Sequence, residues 1–102
     1  MLRVFFIACL LVPNFAFALS PDQECQQIAE VAAAVMQQRQ DGVPYSTQQR
    51  ISQEFSSEET KEFYMDIVED AYTEKQLNTD TAKEQATQAF GKSYYDRCMA
   101  PE

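Results

Sequence analysis

The sequence predicts an all-α protein: a small bundle of three long helices plus one short helix, with the first and last helices antiparallel and joined by a disulfide. Three observations predict it. Apolar residues recur at three- and four-residue steps in three separate segments, with no strand-like alternation or hairpin turn between them. Ser-x-x-Gln and Ser-x-x-Glu patterns, the signature of a helix capping box, precede several of the helical segments. Cys25 and Cys98 stand near the two ends of the chain that remains once an N-terminal export segment is set aside.

That export segment is Met1 to Ala18. It has one early cation, Arg3, then an apolar run from Val4 to Val12, then Pro13, Asn14 and the small-x-small triplet Ala16, Phe17, Ala18, which is the pattern of a secretory signal peptide. The run is broken too early to cross a bilayer, which takes about 20 apolar residues. Acylation at Cys9 fits poorly, because Phe6, Ile7 and Ala8 differ from the usual lipoprotein lead. Cleavage after Ala18 would remove 18 of the 102 residues and leave 84, from Leu19 to Glu102, enough for a single small helical domain. The eight Lys and Arg fall to seven with the loss of Arg3, against sixteen Asp and Glu, a net charge of −9. Such acidity argues against nucleic acid and anionic membrane surfaces as partners, and removal of the apolar run with the signal is expected to leave no membrane span.

The first helix is expected within Ser20 to Gly42. Ser20 and Gln23 make a capping box, Pro21 suits the first helical position, and Cys25, Ile28, Ala29, Ala32, Val35 and Met36 share one face. Arg39 lies in its last turn and Gly42 supplies the left-handed stop. Val43, Pro44 and Tyr45 form a connector, since proline restricts its neighbour and lacks a donor. Ser46 with Gln49 opens a short helix whose apolar edge is Ile51 and Phe55. Ser56 with Glu59 opens the next, running to about Thr73 with Phe63, Tyr64, Ile67, Val68 and Ala71 on one face. Asn78, Thr79 and Asp80 all suit the cap of the last helix, which ends near Met99 before Pro101. Its stripe is Ala82, Ala86, Ala89, Phe90, Tyr94 and Cys98, with Gly91 inside at a propensity cost of about 1 kcal/mol.

With Cys9 removed, Cys25 and Cys98 are an even pair in a small exported chain, which reads as a structural disulfide. No Cys-x-x-Cys motif argues for a redox role. A bridge needs their Cα atoms within about 7 Å, which sets the first and last helices antiparallel, with Ile28 near Tyr94 and Ala32 near Phe90.

Histidine is absent, which removes the commonest general base and zinc ligand and every Ser-His or Cys-His nucleophile. With only Gly42 and Gly91, no glycine-rich phosphate loop exists. A calcium loop at Asn78, Asp80 and Glu84 lacks its glycine and its terminal bidentate glutamate. No catalytic, cofactor-binding or metal-binding residue is therefore assigned. The candidate partner-binding residues are the acidic helical face Glu59, Glu62, Asp66, Glu69 and Asp70, which would welcome a counter-charge, with Tyr95 and Met99 off the main stripes. Met65 is a further off-stripe residue. A solvated charged face is the bland alternative. Arg39 and Arg97 are expected to pair with Asp66 or Asp70 while laying their stems on apolar surface.

Cys25, the string VMQQRQDG from Val35 to Gly42, IVEDAY from Ile67 to Tyr72, and Phe90, Tyr94 and Cys98 together resemble a group of small exported helical proteins of proteobacteria. These show a cysteine-led helix ending in Arg-x-x-Gly, a mid-chain Val-x-x-x-Tyr and a closing Phe and Cys. The resemblance implies a helical fold and export to the periplasm, and it implies no activity. The expectation is a non-enzymatic periplasmic or secreted domain that binds another envelope protein, a basic one being suited to the acidic face. The alternative is a periplasmic stress-response or holdase-type chaperone.

Overall fold

Each long helix begins at a hydroxyl side chain. The computed structural model describes residues 20–101, so the signal-peptide reading of Met1 to Ala18 lies outside the described residues. Four helices follow: α1 (Pro21–Gln40), α2 (Tyr45–Ser52), α3 (Glu58–Tyr72) and α4 (Asp80–Met99). Ser20 Oγ accepts from the Gln23 backbone N–H at 3.2 Å, and Gln23 Oε1 accepts from the Ser20 N–H at 3.0 Å, closing the expected box. Thr79 caps α4 by accepting from Ala82 N–H at 3.1 Å. Each such cap contributes about 1 kcal/mol.

Two other starts differ from expectation. The cap of α3 is Ser57 rather than Ser56; it accepts from Thr60 N–H at 3.0 Å and places Glu58 and Glu59 together in the first turn, where carboxylates meet the positive helix end. The Ser46 box does not form. Pro44, with φ −66° and ψ 151°, sets the start of α2 two residues earlier and leaves Ser46 inside the first turn without a capping role. At the end of α1 the chain turns through Gly42 at φ 88°, with Val43 N–H on Gln38 O at 2.9 Å and Gly42 N–H on Arg39 O at 3.1 Å, a Schellman closure.

α1 is the spine. It packs along α4 on one side and α3 on the other, and α2 packs on α3. Ala32, Val35 and Met36 meet Tyr64, Ile67, Val68 and Ala71 in the core, with Phe90 and Tyr94 of α4 packed against its edge. Met65, read as off-stripe, also packs there. α4 runs antiparallel to α1, and Cys25 and Cys98 are bridged with their Cα atoms 5.5 Å apart. Ile28 and Tyr94 line one hollow, as the antiparallel register requires.

Gly91 is the only buried residue of α4 among those described. A Cβ there would lie 3.1 Å from the Ala29 carbonyl oxygen and 3.1 Å from Ala33 Cβ. The glycine is therefore a contact point that lets two alanine-lined helices approach, and a helical carbonyl cannot swing aside as a side chain can. Gly91→Val is expected to destabilise the protein by about 1–3 kcal/mol through overpacking, despite removing a poor helix former. Urea unfolding of the variant with its disulfide intact checks this.

Polar groups dock α2 together with the expected apolar edge, since Ile51 and Phe55 pack against the core. The buried residues of α2 are Gln48 and Ser52, while Ile51 and Phe55 are half-buried. The Gln48 amide donates to Gln38 Oε1 and, at 3.3 Å, to the Tyr72 hydroxyl, and its oxygen accepts from the Tyr64 hydroxyl. Tyr72 in turn donates to the Val43 carbonyl at 2.7 Å. A second glutamine fixes the connection between α3 and α4: Gln40 donates to Lys75 O at 3.0 Å and accepts from Leu77 N–H at 2.8 Å. Buried amides are stable only when so satisfied.

Candidate functional site

The predicted acidic face does not act as one unit. Glu59, Glu62 and Asp66 flank a shallow hollow on the outer side of α3, together with Thr60 and Phe63. Further along the helix the row divides. Glu69 accepts from the Tyr45 hydroxyl at 3.3 Å on the α2 side. Asp70 turns toward α4, accepting from the Tyr94 hydroxyl at 2.9 Å and lying 3.5 Å from the Arg97 guanidinium. The expected pairing of Arg97 with Asp70 is present, and Arg97 also stacks over the Tyr94 ring at 4.1 Å. Arg39 finds a different partner: it donates to the Glu74 carbonyl at 2.9 Å and stacks over Tyr72 at 5.1 Å. Tyr95 lies between α4 and the start of α1, donating to the Asp22 carboxylate, so it does not join the acidic face. Met99 is exposed at the end of α4.

What the helices do bring together is apolar. Phe63, expected in the core, is 44 % exposed, and Val31 of α1 is 41 % exposed. Consecutive helical residues point about 100° apart, so with Tyr64 taking the core position Phe63 is left at the edge. Between α1 and the first half of α3 runs a groove of about 380 Å³ whose walls include Ile28, Val31, Phe55, Phe63 and Tyr64. Phe55, from the loop after α2, closes one end by packing on Tyr64 with ring centroids 5.2 Å apart. On the far side of Phe63 a second hollow of about 320 Å³ continues past Ile28 to Tyr94 and Cys98. Phe63 thus borders both apolar hollows and the acidic one.

Glu24 stands at the α1 edge of this groove, and Glu59, Glu62 and Asp66 stand beside Phe63. Among the described residues the ion pairs are Lys61 with Glu58, Lys92 with Asp96 and Arg97 with Asp70, so these four carboxylates have no cation partner. Nor do the described residues gather three or more His, Cys, Asp or Glu in a cluster able to hold a metal ion. The arrangement supplies an apolar surface with carboxylates beside it.

Sequence reasoning missed the groove because it assigned Phe63 to the core and left Val31 unassigned. The available signal was the adjacent pair Phe63 and Tyr64, which cannot both face one line of packing, together with Val31 three residues after Ile28.

The tyrosines make a pH prediction. Burial first, then the Asp70 carboxylate, raise the Tyr94 phenol above its usual value, with Arg97 opposing. The hydrogen bond to Asp22 chiefly raises Tyr95, and burial chiefly raises Tyr64 and Tyr45. An unfolded tyrosine ionises near pH 10, roughly. A phenol whose folded pKa is raised favours the folded state while it stays protonated, and that contribution is lost as pH rises from the unfolded value through the folded one. Phenolate absorbance should therefore appear at higher pH in the native protein than in urea, with stability falling across that alkaline range.

Compared with protein-family models, curated proteins and solved structures, the chain has no match. The fold and the groove are therefore read on their own geometry. They define an all-α, disulfide-bridged helical domain with an apolar groove between α1 and α3, edged by Glu24 and sharing Phe63 with a neighbouring hollow that Glu59, Glu62 and Asp66 line.

Proposed function

We propose that this chain is a non-enzymatic, exported domain that binds another protein of the cell envelope through the groove between α1 and α3. The observation that carries this reading is Phe63: a large aromatic ring 44 % exposed at the junction of three hollows in a domain of this size. Exposed aromatics in a contiguous apolar patch are the usual anchors of protein interfaces. The bridge between Cys25 and Cys98 is compatible with an oxidising compartment, and the signal-like pattern of Met1 to Ala18 points the same way. The likeness to small exported proteobacterial proteins belongs to this proposal as well.

The test is photo-cross-linking in intact cells from residue 63, with a probe at exposed Glu84 on α4 as the control, followed by identification of the adducts by mass spectrometry. One recurrent envelope protein from position 63 and none from position 84 is the expected result. Equal capture from both positions would end the assignment of this face.

A holdase is the rival, and α4 gives it a specific basis. That helix buries only Gly91 among its described residues, so its release would uncover the stripe of α1. Many weak adducts that multiply under acid or heat would favour that reading over a dedicated partner.

A further inference from the structure

We infer that the occupant of the groove is a basic amphipathic α-helix of the partner, seated with its apolar face on Ile28, Val31 and Phe63 and its Lys or Arg side chains over the four carboxylates of the rim. This rests on the binding reading above and deepens it by fixing the partner's chemistry.

The helical form follows from hydrogen bonding. The lining is mostly aliphatic and aromatic, with Gln27 and Thr60 as its uncharged polar members, and no strand edge is present among the described residues to pair with an incoming backbone. An extended segment pressed onto this floor would leave N–H and C=O groups facing hydrocarbon without partners, a heavy desolvation cost. A helix satisfies those groups internally and presents only side chains. The space suits it: the wall formed by α1 runs from Glu24 to Val31, two helical turns or about 10 Å, which matches anchors at i, i+3, i+4 and i+7 on a docked helix.

The charge follows from the rim. Glu24 lies at the α1 edge of the groove, and Glu59, Glu62 and Asp66 line the adjoining hollow that shares Phe63 with it, none of them in an ion pair among the described residues. Carboxylates spaced three and four residues apart on one helix repel one another, so a cation entering among them relieves that repulsion while adding its own attraction. A second copy of this chain would bring rim against rim, and an anionic lipid surface would be repelled by the same groups.

The probe is a synthetic 18-residue Leu/Lys peptide with leucines at helical spacing, compared with an isomer of the same composition in strict alternation and with a Leu/Glu peptide of the same helical pattern. Binding to the disulfide-bonded protein is read by fluorescence anisotropy and by the methyl resonances of Ile28 and Val31, with those of Val43 and Leu77 as controls. The helical Lys peptide is expected to bind at least tenfold more tightly than either comparison and to shift Ile28 and Val31 selectively. Phe63→Asp separates docking from bulk attraction. It adds a negative charge, so a purely electrostatic association would tighten, whereas groove docking should weaken at least tenfold. Combined Glu59→Gln, Glu62→Gln and Asp66→Asn should weaken binding and flatten its salt dependence. Far-UV circular dichroism confirms that the variants are folded; all four positions are exposed.

Equal affinity for the two Leu/Lys isomers, or tighter binding by Phe63→Asp, would overturn the inference. The two proposals fail separately. A recurrent partner cross-linked at residue 63 together with no helix-selective peptide binding removes the helical occupant and leaves the binding function. Loss of the cross-link alongside helix-selective peptide binding removes the cellular role and leaves the groove chemistry.

Discussion

Cys25→Ala combined with Cys98→Ala is expected to lower the unfolding free energy by about 4 kcal/mol, which for a domain of this size is a drop in Tm of roughly 15 to 30 °C. The bridge closes a loop of sequence separation 73, and the entropy withheld from the unfolded chain grows with the logarithm of that length. The expected loss is a large share of total stability for a small domain, which is typically about 5–15 kcal/mol. The structure adds a reason for the effect to concentrate on α4. That helix packs chiefly along α1, its buried contact is the Gly91 backbone, and Phe90 and Tyr94 are only half-buried. Amide exchange should accelerate first in the last two turns of α4, where the Arg97 to Asp70 pair at 3.5 Å is exposed and therefore weak. Thermal unfolding with and without reductant measures the total, and residue-resolved exchange locates it. A loss below about 1 kcal/mol would show that helix packing alone holds α4 in place.

Gln48→Leu is the second large effect, expected to cost about 2–4 kcal/mol. The side chain is fully buried and joins three groups: the Tyr64 hydroxyl, the Tyr72 hydroxyl and Gln38. Leucine gains some apolar burial but strands the buried Tyr64 hydroxyl, at about 1–3 kcal/mol for a buried group left without a partner, and takes a donor from the half-buried Gln38. Tyr72 is spared, because it also donates to Val43 O at 2.7 Å. A double-mutant cycle isolates the network. Tyr64→Phe should cost less in the Gln48→Leu background than in the parent, with a coupling of about 1 kcal/mol, since the hydroxyl removed has by then lost its acceptor. Because this glutamine is the fully buried polar contact of α2, exchange protection should fall in α2 before it falls in α1 or α3.

The two predictions also bear on the groove. Phe55 reaches it from the segment after α2, and Cys98 borders its continuation, so loosening either α2 or the bridge should weaken peptide binding without touching Phe63.

Much of this architecture was legible in the sequence because the forces that start and stop helices are local. The Ser20 and Gln23 box, the Thr79 cap, the Gly42 stop and the cysteine pairing depend on residues a few positions apart or on a parity argument, and all four are present. The two misplaced starts, Ser46 and Ser56, fell where several serines, a proline and a tyrosine lie within a few residues, so that shifts of one or two residues were open. The stripe of α3 was correct at Tyr64, Ile67, Val68 and Ala71 and wrong at Phe63.

The sequence by itself determined that the chain is helical, where its long helices run, and that its ends are clasped. Only the tertiary structure decided that Phe63 faces outward, that buried Gln48 joins Ile51 in docking α2, and that Gly91 sits against the α1 backbone at Ala29 and Ala33. The reason is geometric. Periodicity fixes which residues share a face, but how far a helix is rotated and how deep it sits are set by its neighbours. A rotation of a few tens of degrees moves an edge residue such as Phe63 between core and groove while leaving the local hydrogen bonds unchanged.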